Sequence, residues 1–94
     1  MPGEFRLLPP QPNPFLGTAL LSYYLPADEQ VTLVVYDLLG RQVRTLVAGE
    51  KVAGAHRVAW DGKDDQGRLL PSGQYLCVLR SKAGSQAQKV VLLR

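Results

Sequence analysis

The sequence has one cysteine, Cys77, so no internal disulfide can form and cysteine usage does not report the redox compartment. It has one histidine, His56, and nothing ties it to Ser22, Ser72 or Asp61 as a triad, which is recognised by geometry rather than by composition. No apolar run approaches the ~20 residues that a membrane-spanning helix needs, which argues against membrane insertion. Met1-Pro2-Gly3-Glu4 has neither the basic start nor the apolar stretch of a signal peptide, so a secreted parent would have to supply that signal elsewhere. No block of one charge sign is present. Arg6, Arg41, Arg44, Lys51, Arg57, Lys63, Arg68, Arg80, Lys82, Lys89 and Arg94 are spread along the chain. A net charge of +3 without a nucleic-acid motif implies no nucleic-acid partner. Amphipathic helices, internal repeats and low-complexity stretches are not evident.

What is present fits a small β domain. Ninety-four residues make one domain, and 46% hydrophobic with 20% charged residues is a globular composition. Seven prolines and nine glycines fall mostly between apolar runs, as short strands and turns require. The central feature is Val31 to Leu46. Val31, Leu33 and Val35 face one way and Thr32, Val34 and Tyr36 the other, at the period of a strand. Asp37-Leu38-Leu39-Gly40-Arg41 reads as the turn. Asp37 can accept from amides two residues on, and Gly40 can take a positive φ. Val43 to Val47 returns as the paired strand.

Further strands are predicted at Thr18 to Leu25, His56 to Trp60, Gly73 to Arg80 and Gln86 to Leu93. Ala48 to Ala55 reads as a connection between sheets, and Asp61 to Ser72 as a long polar loop. Residues 1–11 read as the end of a linker with a short first strand at Phe5 to Leu8, and residues 12–94 as the domain. The fold expected is all-β, an antiparallel Ig-like sandwich of about seven strands.

Several motifs stand in a specific order. They are Pro12-Asn13-Pro14-Phe15, Tyr24-Leu25-Pro26, Tyr36-Asp37-Leu38-Leu39-Gly40-Arg41 and Ala53-Gly54-Ala55-His56. Then follow Trp60-Asp61-Gly62 with Lys63 to Gly67, Ser72-Gly73-Gln74-Tyr75 and the ending Lys89-Val90-Val91-Leu92-Leu93-Arg94. From Pro12 to Arg94 the chain resembles the C-terminal sorting domain of cargo proteins of the type IX secretion system. That domain is related to the Ig-like domain of the flagellar hook-capping protein. One departure is Leu16-Gly17, where the family commonly has Asn-Pro.

The resemblance implies a non-enzymatic sorting and surface-attachment domain behind an upstream cargo domain. It would be recognised by outer-membrane secretion machinery and carried through periplasm and outer membrane to the cell surface. The alternatives are a structural Ig-like module, as a hook-cap unit or a surface-protein spacer, and a carbohydrate-binding module. Recognition is expected at Lys89 to Arg94, on a last strand lying at a sheet edge, where unpaired backbone groups invite another chain. A strand-swapped dimer is a corollary.

Other candidates each have a plain structural reading. Asp61, Asp64 and Asp65 are weak metal candidates, because Lys63 interrupts the spacing that a calcium loop uses. A turn with aspartates bonding their own backbone is favoured, with no metal or other cofactor. Cys77 reads as a buried small hydrophobe. Trp60, Tyr23, Tyr24, Tyr36 and Tyr75 could form a sugar platform, but their alternation favours core and sheet surface. Trp60 leads the expected core, with Leu33, Val35, Val58, Tyr75 and Leu79.

Overall fold

Alternation in two apolar segments sets the two layers. In the computed structural model, which describes residues 4–94, Ala19–Leu25 is a strand that buries Ala19, Leu21, Tyr23 and Leu25. Glu29–Tyr36 buries Val31, Leu33 and Val35 against it. The strands in order are β1 (Arg6–Leu7), β2 (Ala19–Leu25), β3 (Glu29–Tyr36), β4 (Gln42–Lys51), β5 (Gly54–Trp60), β6 (Gly73–Ser81) and β7 (Gly84–Leu92). They form a three-stranded sheet, β1-β2-β5, and a four-stranded sheet, β4-β3-β6-β7, with every neighbouring pair antiparallel. This is the expected seven-stranded, Ig-like sandwich. The leader reading at Met1 to Gly3 lies outside the described residues.

Inward side chains of both sheets fill the space between them. Leu21 and Leu25 share one core cluster with Leu33, Val35, Cys77, Leu79, Val90 and Leu92. Each fully buried aliphatic side chain is worth about 1.5–3 kcal/mol relative to exposure. Trp60 is fully buried, as expected, and Val58 packs against the core at its margin. Phe15 joins Trp60 with ring centroids 5.4 Å apart, and Tyr75 meets the other side of Trp60 edge-on at 5.4 Å. Such tilted pairs suit the ring quadrupoles.

One expectation needs correction. Ala48 to Ala55 does pass from one sheet to the other, but most of it is strand: β4 runs on to Lys51, β5 begins at Gly54, and only Val52 and Ala53 form the connection. The glycines suggested a loop, but Gly49 pairs with Val31 inside the ladder. The short first strand expected before Pro12 is present as Arg6–Leu7, and the stretch around it is tied to the sandwich. Leu7 is buried, the Leu8 amide donates to the Ser22 carbonyl, and Gln11 exchanges backbone hydrogen bonds with Leu20.

The outward face of the four-stranded sheet is unusual in one respect. Val34 and Val78 are cross-strand partners pointing away from the core, yet only 6% and 8% exposed. Tyr36 and Arg80 flank that pair in register, and the Arg80 guanidinium donates to the Tyr36 hydroxyl at 2.8 Å. The two long side chains close over the valines.

Candidate functional site

The end of the sandwich that carries the β3–β4 turn gathers most of the motif residues. At the turn, the Gly40 amide donates to the Asp37 carbonyl and the Asp37 amide to the Arg41 carbonyl. Asp37 Oδ1 accepts from the amides of Leu39 and Arg41, and Oδ2 accepts from Arg41 Nε at 2.8 Å. Gly40 has φ +83°, the left-handed region that suits glycine. The Arg41 amide, then the guanidinium and the Leu39 amide, hold the Asp37 carboxyl below its ordinary value. The turn is thus a clasp built from its own five residues, and it leaves Leu38 and Leu39 71% and 79% exposed.

The same clasp recurs at Asp64-Asp65-Gln66-Gly67-Arg68. Gly67 donates to the Asp64 carbonyl and has φ +79°. Asp64 Oδ1 accepts from the amides of Gln66 and Arg68, and Oδ2 from Arg68 Nε at 3.1 Å. The Arg68 amide leads the contacts that keep the Asp64 carboxyl low. The signal was in the sequence as Asp-x-x-Gly-Arg written twice, but a five-residue match 27 positions on is easily passed over. Both clasps border an open groove of about 660 Å³, whose walls include Leu38, Leu39, Gln66, Leu70 and Tyr75.

The second clasp is anchored from outside. Trp60 Nε1 and Arg44 Nη1 both donate to the Lys63 carbonyl at 3.0 Å. Arg44 also pairs with Asp61 at 3.0 Å. Burial pushes the Asp61 carboxyl up, but the Lys63 amide and the Arg44 guanidinium outweigh it and the net direction is down. The Asp65 amide donates to the Val43 carbonyl, and its carboxylate accepts from the Thr45 amide. Asp61, Asp64 and Asp65 therefore each engage different donors. No group of three or more His, Cys, Asp or Glu among the described residues is placed to hold a metal.

Gly62, at φ +77°, lies where a Cβ would come within 2.8 Å of Arg94 Nη2 and 3.1 Å of Leu92. Arg94 reaches back to donate to the carbonyls of Gly62 and Leu70. The Tyr75 hydroxyl donates to the Pro71 carbonyl at 2.7 Å, the tyrosine corner of Ig-like sandwiches. Gly73 starts β6 beside it.

The last strand lies at a sheet edge, as expected, but that edge is not open. Its edge away from β6 is covered over Lys89 to Leu93. Asn13 presents its side-chain amide like a peptide group, with Nδ2 donating to the Lys89 carbonyl and Oδ1 accepting from the Val91 amide. Phe15 continues the pairing, its amide donating to Val91 and its carbonyl accepting from Leu93. Gln86 and Gln88 use their side chains on the Leu7 backbone. The Pro12-Asn13-Pro14-Phe15 motif thus seals the edge that the recognition and strand-swap readings needed open. Val90 and Leu92 are core, and Lys89, Leu93 and Arg94 are exposed.

Cys77 is buried between the sheets, and burial pushes its thiol up to about 12, as an inert structural cysteine requires. His56 stacks on Tyr23 with centroids 5.0 Å apart, and its Nε2 lies 2.7 Å from the Val52 carbonyl. With Trp60, Tyr23 and Tyr75 buried, the sugar platform loses its central rings.

The model of the FlgD Ig-like domain matches residues 13–85. The chain belongs to that family. The basal-body rod modification protein FlgD of Salmonella typhimurium is 45% identical over 62 residues, covering 65% of this chain and 26% of that protein. The chain thus spans about a quarter of the curated relatives it matches. FlgD of P. aeruginosa superposes with a TM-score of 0.64 at 30% identity, over 79% of this chain and 61% of that one. FlgD from Xanthomonas campestris, described for hook capping essential for flagellar assembly, gives 0.63 at 24%, over 96% and 67%. Dimeric latent PorU from Porphyromonas gingivalis gives 0.70 at 22%, over 99% of this chain and 10% of that one, a likeness of fold alone.

These relatives correct the sorting expectation. Sequence identity runs to FlgD proteins, so export by outer-membrane secretion machinery and delivery to the cell surface lose their support. The motifs shared by the two branches report their common fold.

Proposed function

We propose that the chain is a structural Ig-like module of the FlgD hook-cap type, working in flagellar hook assembly without catalysis. The observation that carries this reading is the family match over residues 13–85, joined to 45% identity with a basal-body rod modification protein. The geometry is consistent with it. Polar groups at the motif-rich end are spent on holding turns, and the best-formed clasp displays two leucines, a contact surface rather than a reactive one. The test is a chimera in which this chain replaces the Ig-like domain of Salmonella FlgD in cells lacking their own copy. Completed hooks by electron microscopy are expected. A chimera that accumulates at the normal level, with no hooks formed, overturns the proposal.

A further inference from the structure

Beside the clasps, the outer face of β3, β6 and β7 holds a second groove of about 320 Å³. Leu76 is on its floor, 40% exposed, with Tyr36 opposite it in register on one side and Lys89 on the other. Leu38 of the first clasp forms one end wall, and Val78 under Arg80 forms the other. Leu76, Tyr36, Arg80 and Lys89 point away from the space between the sheets, and covering Val34 and Val78 accounts for Tyr36 and Arg80 but not for Leu76 or Lys89.

The charge around this groove has one sign. Arg80 and Lys89 line it, and neither is in an ion pair among the described residues. Asp37 is the one acid on its wall, and both its oxygens are taken by the clasp. Arg80 is also oriented in advance. It lies over the Tyr36 ring with its guanidinium carbon 5.7 Å from the centroid, and one nitrogen is fixed on the Tyr36 hydroxyl. A planar guanidinium held in this way keeps further N–H groups for a carboxylate, with less side-chain entropy left to lose.

We infer that this groove is a docking site for an acidic, apolar segment of a partner protein. An aliphatic side chain of that segment sits on Leu76 between Tyr36 and Leu38, and flanking carboxylates meet Arg80 and Lys89. Complementary charge at the rim sets approach rate and selectivity, and the apolar floor supplies the burial. The inference holds for any assembly in which the chain works and does not depend on the hook-cap reading.

The probes are two pentapeptides, Glu-Leu-Glu-Leu-Glu and Lys-Leu-Lys-Leu-Lys, titrated into the isotope-labelled 94-residue chain by NMR. Saturable shifts at Leu76, Val78, Arg80 and Lys89 are expected with the acidic peptide and not with the basic one. Arg80→Glu combined with Lys89→Glu should weaken binding by about tenfold or more and abolish its weakening by salt. Leu76→Ser should weaken it at any salt concentration, with its thermal melt serving as the check on folding. Equal responses to the two peptides, shifts centred on Arg41 and Arg68 instead, or no saturable response would each overturn the proposal. So would an acidic-peptide affinity unchanged in both variants.

Discussion

Five residues, Asp-x-x-Gly-Arg, fold alike at Asp37–Arg41 and at Asp64–Arg68, with the carboxylate bonded to two amides and to an arginine Nε in both. Their surroundings differ. The first clasp closes a long hairpin, and the β3–β4 ladder resumes at once with Tyr36 opposite Gln42. The second closes only a single bridge, Lys63 to Leu69, in a loop with no strand of its own. Local chemistry therefore specifies the turn, while its place in the molecule comes from elsewhere. For the first, that source is sheet pairing; for the second it is Trp60, Arg44 and the edge of β4. The exposed residues follow suit: two leucines at the first, Asp65 and Gln66 at the second.

The most severe way to separate the two is Trp60→Ala, which removes a fully buried aromatic and one of the two donors to the Lys63 carbonyl. It should cost about 3–5 kcal/mol, the range for truncating a large buried aromatic. In the folded fraction, amide exchange should speed up at Gln66 and Arg68 far more than at Leu39 and Arg41. Equal acceleration at both clasps would show that the second needs no outside anchor.

A finer comparison is Gly40→Val against Gly67→Val. Nothing lies within 4 Å of a Cβ at either position, so the cost is one of backbone conformation alone. Each should lose about 1–3 kcal/mol in chemical denaturation, and by nearly the same amount. A large inequality would mean that one clasp opens without strain while the fold persists.

The smallest effect is on pH dependence. The carboxyls of Asp37 and Asp64 are held low in the folded protein. A depressed folded value contributes stability that is present above the unfolded value, near pH 4, and is lost as pH falls through the folded one. Asp37→Asn and Asp64→Asn should therefore each flatten the fall in urea midpoint between pH 6 and pH 3, by similar amounts. A variant as acid-sensitive as the wild type would show that its clasp contributes nothing to the titration.

Both clasps were legible from sequence as turns, the first with its bounds and the second only as a loop whose aspartates bond their own backbone, and the reason for the difference is physical. Asp37 and Gly40 stand between two alternating apolar runs, so the turn is announced by the strands it joins. Asp64 and Gly67 stand in a polar stretch where neither side has a period. The same rule covers the rest. β2 and β3 were readable because only one face of each alternates into the core. Phe15 was not placed in the core, because a lone aromatic among prolines has no repeat to reveal its direction. The length of β4 was missed because glycine in a strand looks like a loop. Sheet order and the cover over β7 depend on contacts between distant residues, which local patterns do not carry.

That cover has a kinetic meaning. The contacts from Asn13 and Phe15 to β7 join residues more than seventy positions apart, so they close nearly the whole chain into a ring. Closing so large a loop has a high entropic cost until the strands between have already drawn its ends together. The seam is therefore among the last parts to form. Until it does, Lys89 to Leu93 is an open strand edge, and an open edge is where identical chains find one another. The seam from Asn13 and Phe15 thus bears on pairing between chains during folding as well as on the finished surface.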